Sequence, residues 1–357
     1  MTSAPLELKI ERAFQDNVIF HYPDGTQIAQ LKHAFIPERK NMRGDTVRTE
    51  GFYKIKTDLD ALHEGFLKWH RDTYGEEFDQ FARGPEQEAK KEHYRNDARF
   101  KEAFDFIGVN WEQHNSKIYL PWWREVLASQ VSHEHLPDGS YRSTFEPMSP
   151  FELQLVKRGL ELPVKATSTL GILITRPDAQ SKEGYVVLGV RTGSGHPNTY
   201  HVVPAGYLQA SESFMRREAT MYDGFVEDEL TPESGLRKDD IEEIRPLAVV
   251  HDHIISNGGP EYVFLLKSKL TTNHIFQRWQ EHEAAKDRHE HAELVFVPAG
   301  KDSVNEFISK NYVGVVANRA DRKESERYIL NPAALALAAY SDMPLSVLKS
   351  YCNGREN

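Results

Sequence analysis

The sequence predicts an α/β fold, built as a sandwich over residues 160–310 and preceded by a smaller α+β domain over residues 1–150. From about residue 160, short apolar strands such as GILIT, YVVLGV and YVFLLK alternate with helical patterns. That alternation is typical of a sheet covered by helices. Residues 311–357 contain NPAALALAAY, which is apolar at helical spacing, and we expect this stretch to be a helical tail that docks on the sandwich.

The N-terminal domain is expected to contain one long helix. Its apolar residues recur at steps of three and four: Leu59, Leu62, Phe66 and Trp69. Gly75 follows as a suitable stop. Residues 133–150, HEHLPDGSYRSTFEPMSP, are rich in proline, glycine and serine, and this composition predicts a linker. The sequence leaves the role of residues 1–150 open between a lid over a pocket, a homodimer surface and a separate recognition module.

Composition excludes several classes of function. The 357 residues carry a formal net charge of −10 and contain no dense Lys/Arg block, so nucleic acid is not an expected partner. No apolar run approaches the roughly 20 residues that span a bilayer, and MTSAPLELKIERAF does not resemble a signal peptide. Cys352 is the only cysteine, which rules out an intrachain disulfide and fits a reducing cytoplasm. We therefore expect a cytoplasmic protein without a membrane partner.

The stretch VVPAGYLQASESF places Gly206 and Glu212 six residues apart at a strand-to-helix corner. A helical pattern over residues 211–230 follows the corner. Glu229 and Glu233 are four residues apart, so on a continuous helix their carboxylates would share one face. Such a pair repels unless a cation lies between the two groups, and carboxylate oxygens are what Mg²⁺ prefers. The corner is therefore either an ordinary loop or the entrance to a phosphate and metal site.

Pro232 sits between the two glutamates and bears on that choice. Proline inside a helix removes a hydrogen bond and clashes with the preceding turn. The residue therefore predicts a helix that ends at Leu230, with Glu233 turned away from Glu229.

The region from about residue 165 to 310 resembles the Nudix hydrolases. Their signature runs glycine, five residues, glutamate, seven residues, then Arg-Glu-apolar-x-Glu-Glu-x-Gly-apolar. The matching positions are Gly206, Glu212, Glu229, Leu230, Glu233, Gly235 and Leu236. The layout, with an extra N-terminal region and an insertion inside the signature, is similar to the branch that hydrolyses UDP-glucose and UDP-galactose.

The match departs from the pattern in three places. Asp228 stands where the family has arginine, Pro232 where it has glutamate, and fifteen residues rather than seven separate Glu212 from Asp228. A rival alignment uses RREATMYDGF, where Arg217, Glu218, Ala219, Gly224 and Phe225 fit. In that alignment Met221 and Tyr222 replace the glutamate pair. The first alignment is favoured because the sequence downstream of it continues the resemblance.

The resemblance implies an α/β/α sandwich with a mixed sheet and a pyrophosphohydrolase that uses Mg²⁺ or Mn²⁺. It would cleave a nucleoside diphosphate linked to another group, such as a nucleotide sugar. The implied metal ligands are Glu229, Glu233 and a helper, Glu212 or Glu218. The implied base comes from a loop outside the signature, and the candidates by position are Glu290, His289 and Glu261. Arg191 and Gly206 are the candidate substrate-binding residues.

Two alternatives remain open from the sequence. HDHIISNGGPEY is a second candidate metal site, but on a strand His251 and His253 share one face while Asp252 points to the other. Gly258 and Gly259 more simply indicate a tight turn. The other alternative concerns the whole protein, which would be a Nudix-fold nucleotide-binding or regulatory protein without turnover.

Overall fold

The computed structural model describes residues 14–15, 18–76, 78, 85–114, 126–157, 160, 162–192, 197–216, 220–225, 229–253, 258–284, 291–312 and 327–353. Its strands are β1 (Ile19–His21), β2 (Leu31–Phe35), β3 (Glu38–Lys40), β4 (Thr46–Arg48), β5 (Leu127–His135), β6 (Tyr141–Met148), β7 (Ser168–Ile174), β8 (Tyr185–Arg191), β9 (Thr199–Val202), β10 (Ala205–Tyr207), β11 (Ile241–Asp252), β12 (Gly259–Ser268), β13 (His291–Pro298) and β14 (Tyr328–Ile329). Its helices are α1 (Thr49–Tyr74), α2 (Pro85–Arg95), α3 (Ala98–Ile107), α4 (Trp111–His114), α5 (Pro150–Lys157), α6 (Glu212–Met215), α7 (Met221–Phe225), α8 (Thr231–Ser234), α9 (Thr272–Ala284), α10 (Lys301–Asn311), α11 (Asn331–Ser341) and α12 (Leu345–Asn353).

Nine of the described strands form one main sheet. Its order is β1-β11-β12-β7-β8-β9-β14, with β10 paired to β7 and β13 paired to β8. The sheet is mixed, because β12 runs parallel to β7 while β11 and β12 form a long antiparallel pair. The α/β fold class with a mixed sheet, predicted from the sequence, is confirmed.

Alternate residues of the central strands face two different cores. On β12, Val263 and Leu265 belong to the core covered by α10 and α11, whereas Phe264 and Leu266 belong to the opposite core. That second core is covered by the short helices α6 and α7, by α9 and by β6 of the N-terminal region. Both faces of the sheet are therefore buried, which explains why its strands are almost uniformly apolar.

The N-terminal region contributes to three of the described sheets. Strand β1 pairs with β11 at the edge of the main sheet, β2, β6 and β5 form a separate three-stranded sheet, and β3 and β4 form a two-stranded one. The long predicted helix is present as α1, and it ends at Gly75, whose φ of +75° is the left-handed conformation that glycine adopts easily.

The predicted linker over residues 133–150 is wrong. Most of it forms the hairpin of β5 and β6, because Pro137 and Gly139 lie together in a tight turn. Gly139 has a φ of +80°, and Leu136 donates its backbone N–H to the Ser140 carbonyl at 2.8 Å. Beyond the turn, Tyr141 and Phe145 alternate inward as expected for a half-buried strand. Among the described helices, none combines the length and the apolar character needed to cross a bilayer.

Candidate functional site

The strand-to-helix corner, which the sequence offers as a candidate phosphate and metal site, begins at β10. This short strand pairs antiparallel with β7, so that Gly206 lies opposite Thr169. The carboxylate of Glu229 contacts this strand at Gly206. A Cβ atom placed on Gly206 would lie 1.6 Å from Glu229 Oε1 and 2.5 Å from Oε2. At Gly206 the carboxylate of Glu229 therefore occupies the space that a side chain would take, and the backbone of Gly206 is outside the left-handed region.

Glu233 reaches the neighbouring residue of the same strand. Its side chain is buried, at 3% exposure, and its Oε2 accepts the backbone N–H of Ala205 at 2.9 Å. The same oxygen lies 3.8 Å from His291 Nε2. Glu229 and Glu233 thus contact consecutive residues of β10.

The predicted helix end at Leu230 is wrong. Leu230 has helical backbone angles, φ −60° and ψ −52°, and α8 begins directly after it. Pro232 lies in the first turn of α8, where its missing N–H has no helical partner to lose. The helical backbone therefore continues from Glu229 to Glu233, which is why both carboxylates reach β10.

The prediction of one helix over residues 211–230 is also wrong, because the described part contains the separate helices α6 and α7. Thr220 lies outside both and starts α7 as its cap. The backbone N–H and the Oγ1 hydroxyl of Thr220 both donate to Asp223 Oδ2, at 2.9 and 2.8 Å. Asp223 N–H donates back to Thr220 Oγ1 at 3.1 Å. This reciprocal capping begins a new helix between Glu212 and Glu229.

His291 is a site residue that the sequence reasoning missed. It opens β13, is only 3% exposed and lies across β8, where a Cβ atom on Gly189 would be 2.5 Å from His291 Nδ1. In the pairing of β13 with β8, His291 is opposite Arg191. The signal for this contact was the isolated glycine inside the apolar strand YVVLGV, since such a glycine often marks a close approach.

The remaining predicted residues are distributed as follows. Glu212 is the first residue of α6, directly after Ser211, whose Oγ accepts the Phe214 N–H at 3.3 Å as a helix cap. Arg191 ends β8 and is partly buried. The candidates Glu218, His289 and Glu290 lie outside the described residues.

Glu261 does not join the candidate site. It is paired with Ser168 on β7, whereas Gly206 is paired with the next residue, Thr169. Because successive residues of a strand point to opposite faces, Glu261 lies on the face of the sheet away from Glu229.

The alternative metal site at residues 251–253 is not assembled. Asp252 is fully buried and accepts a hydrogen bond from Asn331 Nδ2 at 2.6 Å, while His251 Nδ1 lies 3.3 Å from the Gly258 carbonyl. Gly258 has a φ of +81°, as expected for the predicted turn. In the described parts of the chain, no three His, Cys, Asp or Glu side chains are grouped as metal ligands.

Comparisons with known proteins give no family. No protein-family model matches the sequence, and no curated protein matches it. The fold is similar to the DR0079 protein of Deinococcus radiodurans, with 14% identity, a TM-score of 0.32, and coverage of 52% of this chain and 95% of that one. It is also similar to a bifunctional NMN adenylyltransferase/ADP ribose pyrophosphatase from Francisella tularensis, complexed with AMP and an Mn ion. That match has 10% identity and a TM-score of 0.27, and covers 44% of this chain and 40% of that one. Likeness at this level carries no information on the activity of this chain.

Proposed function

We propose that the protein is a divalent-metal-dependent pyrophosphohydrolase that cleaves a nucleoside diphosphate linked to another group, such as a nucleotide sugar. The observation that carries the proposal is the convergence of two carboxylates on one strand. Glu229 contacts Gly206 and Glu233 contacts Ala205, from one helical stretch. Two carboxylates placed beside consecutive residues of one strand supply the oxygen ligands that a divalent cation prefers.

The donor set suits Mg²⁺ or Mn²⁺. Mg²⁺ usually takes only one or two carboxylates from a protein and completes its coordination with waters and substrate phosphates. Glu229, which is partly exposed, would be the outer ligand, and Glu233 the inner one. An ion bound there supplies charge neutralisation for a diphosphate and lowers the pKa of an attacking water. Glu212, the first residue of α6, is the third proposed ligand.

The chain's own residues would orient the reactants. Gly206 leaves the space that the Glu229 carboxylate occupies, the Ala205 N–H donates to Glu233 Oε2, and His291 lies 3.8 Å from that oxygen. Arg191, opposite His291 in the sheet, is the proposed contact to a substrate phosphate. In the reaction, water attacks one phosphorus, the anhydride P–O bond breaks, and the two phosphate-bearing products leave.

A second candidate function is a nucleotide-binding protein without turnover. The burial of Glu233 favours it, since that carboxylate already accepts the Ala205 N–H, as a structural glutamate would. The replacement of two signature residues by Asp228 and Pro232 points the same way.

Substrate screening with a matched variant separates the two functions. Nucleotide sugars, dinucleotides and nucleoside triphosphates would be tested with Mg²⁺ and Mn²⁺ against wild type, Glu229→Gln and the control Glu281→Gln. Glu281 is exposed on α9, where Gln277 donates to it at 2.9 Å. For the hydrolase we expect turnover that falls roughly 100-fold or more in Glu229→Gln and is unchanged in the control. A nucleotide-dependent rise in melting temperature without any turnover would instead establish the binding protein.

A further inference from the structure

The N-terminal region holds the residues that follow β10. Strand β5 forms backbone hydrogen bonds with this part of the chain: Ala128 N–H donates to the Leu208 carbonyl at 2.9 Å. Ala210 N–H donates to the Val126 carbonyl at 2.8 Å. Residues 208–210 thus pair with the N-terminal region as if they were a strand of its sheet, and we name residues 208–216, which include α6, the corner segment.

Two N-terminal side chains hold the corner segment on either side of Glu212. The hydroxyl of Tyr53, on α1, donates to the Ala210 carbonyl. His33, on β2, donates from Nε2 to the Phe214 carbonyl at 2.7 Å. The His33 ring also stacks on the Phe214 ring, with centroids 4.2 Å apart and planes inclined by 3°.

The corner segment has little internal structure of its own. Helix α6 has only four residues, and a helix this short is not stable by itself. Phe214 is 1% exposed and packs in the same core as Phe145 of β6. The position of Glu212 is therefore set mainly by groups that belong to the N-terminal region.

We propose that Tyr53 and His33 are positioning residues for the candidate site, which makes the N-terminal region a fixed clamp on the corner segment. The effect of the clamp on catalysis rests on the proposed function, whereas the clamp itself rests only on the contacts of Tyr53 and His33. Both side chains bind backbone carbonyls, so they fix the path of the chain without contacting substrate. From the sequence, residues 1–150 could be a lid over a pocket, a dimer surface or a recognition module. The clamp is a role in addition to these three.

Variants can separate the hydrogen bond of His33 from its ring stacking. His33→Phe keeps a ring over Phe214 and loses the donor, whereas His33→Gln loses the ring and keeps an N–H donor at the same distance along the side chain. Tyr53→Phe removes only a hydroxyl. Tyr74→Phe is its matched control, because Tyr74 lies on the same helix and is exposed. His135→Phe is the control for His33, since His135 is exposed and stacks on Tyr141.

Hydrogen exchange measured by mass spectrometry on peptides covering residues 208–216 tests the clamp. A hydrogen bond of ordinary strength corresponds to about a fivefold change in a local opening equilibrium. We expect exchange of this segment to be about fivefold faster in Tyr53→Phe and in His33→Phe, near wild type in His33→Gln, and unchanged in both controls. Unchanged exchange in Tyr53→Phe and His33→Phe would overturn the proposal, as would equal acceleration in every peptide of the chain.

Hydrogen exchange tests the clamp and turnover tests the proposed function, so either proposal can be refuted without the other. If wild type hydrolyses no substrate, the exchange experiment still decides whether the clamp exists. If wild type is active, kcat should fall about fivefold in His33→Phe and recover in His33→Gln. A hydrolase whose kcat is unaffected by both His33 variants would contradict the positioning role while leaving the proposed function intact.

Discussion

Gly206→Ala is the substitution that tests the geometry of the corner most sharply. The new Cβ atom would lie 1.6 Å from Glu229 Oε1 and 1.9 Å from its Cδ. No real contact is that short, so the carboxylate of Glu229 must move. The backbone of Gly206 is not in the left-handed region, and the substitution therefore carries only this steric effect.

The expected magnitude follows from forcing one carbon atom into an occupied space. Overpacking in a well-packed core costs about 1–3 kcal/mol, and the cost here should lie near the lower end, because the displaced atoms are the far end of the partly exposed Glu229 side chain. Gly65→Ala is the matched control, because Gly65 is exposed within α1 and a Cβ atom there meets nothing within 4 Å. At Gly65 alanine should instead stabilise by about 0.5–1 kcal/mol, since glycine is unfavourable inside a helix. The two glycine-to-alanine changes thus have opposite signs.

Thermal unfolding of the two variants, together with Glu229→Ala and the double variant, gives the assay. If the clash is with the carboxylate, Glu229→Ala should relieve it, and the Gly206→Ala/Glu229→Ala pair should be more stable than additivity predicts by about 0.5–3 kcal/mol. Additive effects, or a Gly206→Ala variant that is stabilised like Gly65→Ala, would refute the packing of Glu229 against β10.

Three further predictions concern buried groups. Glu233→Ala should destabilise by about 1–3 kcal/mol, because it leaves a buried N–H without its acceptor, whereas Glu233→Gln keeps an acceptor and should unfold near the wild-type temperature. Burial raises the pKa of Glu146 from its ordinary 4.5 to about 7. The folded protein therefore keeps a proton that the unfolded chain has released, and stability should fall as pH rises from about 4.5 to about 7. Melting temperatures across this range should show a shallower fall in Glu146→Gln, and an identical slope would contradict the shift. Asn331→Leu should cost about 1.5–3 kcal/mol in denaturant unfolding by removing the donor to buried Asp252, and Tyr312→Phe, which removes only the outer hydrogen bond to Asn331, about 1 kcal/mol.

The sheet and its buried faces could be predicted because their signal is local. Apolar runs such as those of β7, β8 and β12 become strands wherever both faces are covered. The helix α1 was predictable for the same reason, from its apolar spacing and its terminal glycine. At β5 and β6 the composition predicted a linker over residues 133–150, but most of these residues form two strands and the turn between them.

The candidate site was less predictable because its contacts join distant parts of the chain. The place of Gly206 at the corner indicates a role for this residue. Its contact with the carboxylate of Glu229 is visible only in the structure. The contact of His291 with Gly189 likewise depends on the pairing of β13 with β8. Pro232 predicts a helix break from sequence alone, because spacing along the chain does not show that the proline lies in the first turn of α8.

Glu229 and Glu233 are proposed to bind a divalent ion together. Titration of Mn²⁺ followed by electron paramagnetic resonance tests it without any substrate, comparing wild type with Glu229→Gln and with the exposed control Glu281→Gln. The claim predicts saturable Mn²⁺ binding by wild type and the control, weakened at least about tenfold in Glu229→Gln. Equal Mn²⁺ affinity in all three proteins, or no binding by wild type at millimolar metal, would contradict it.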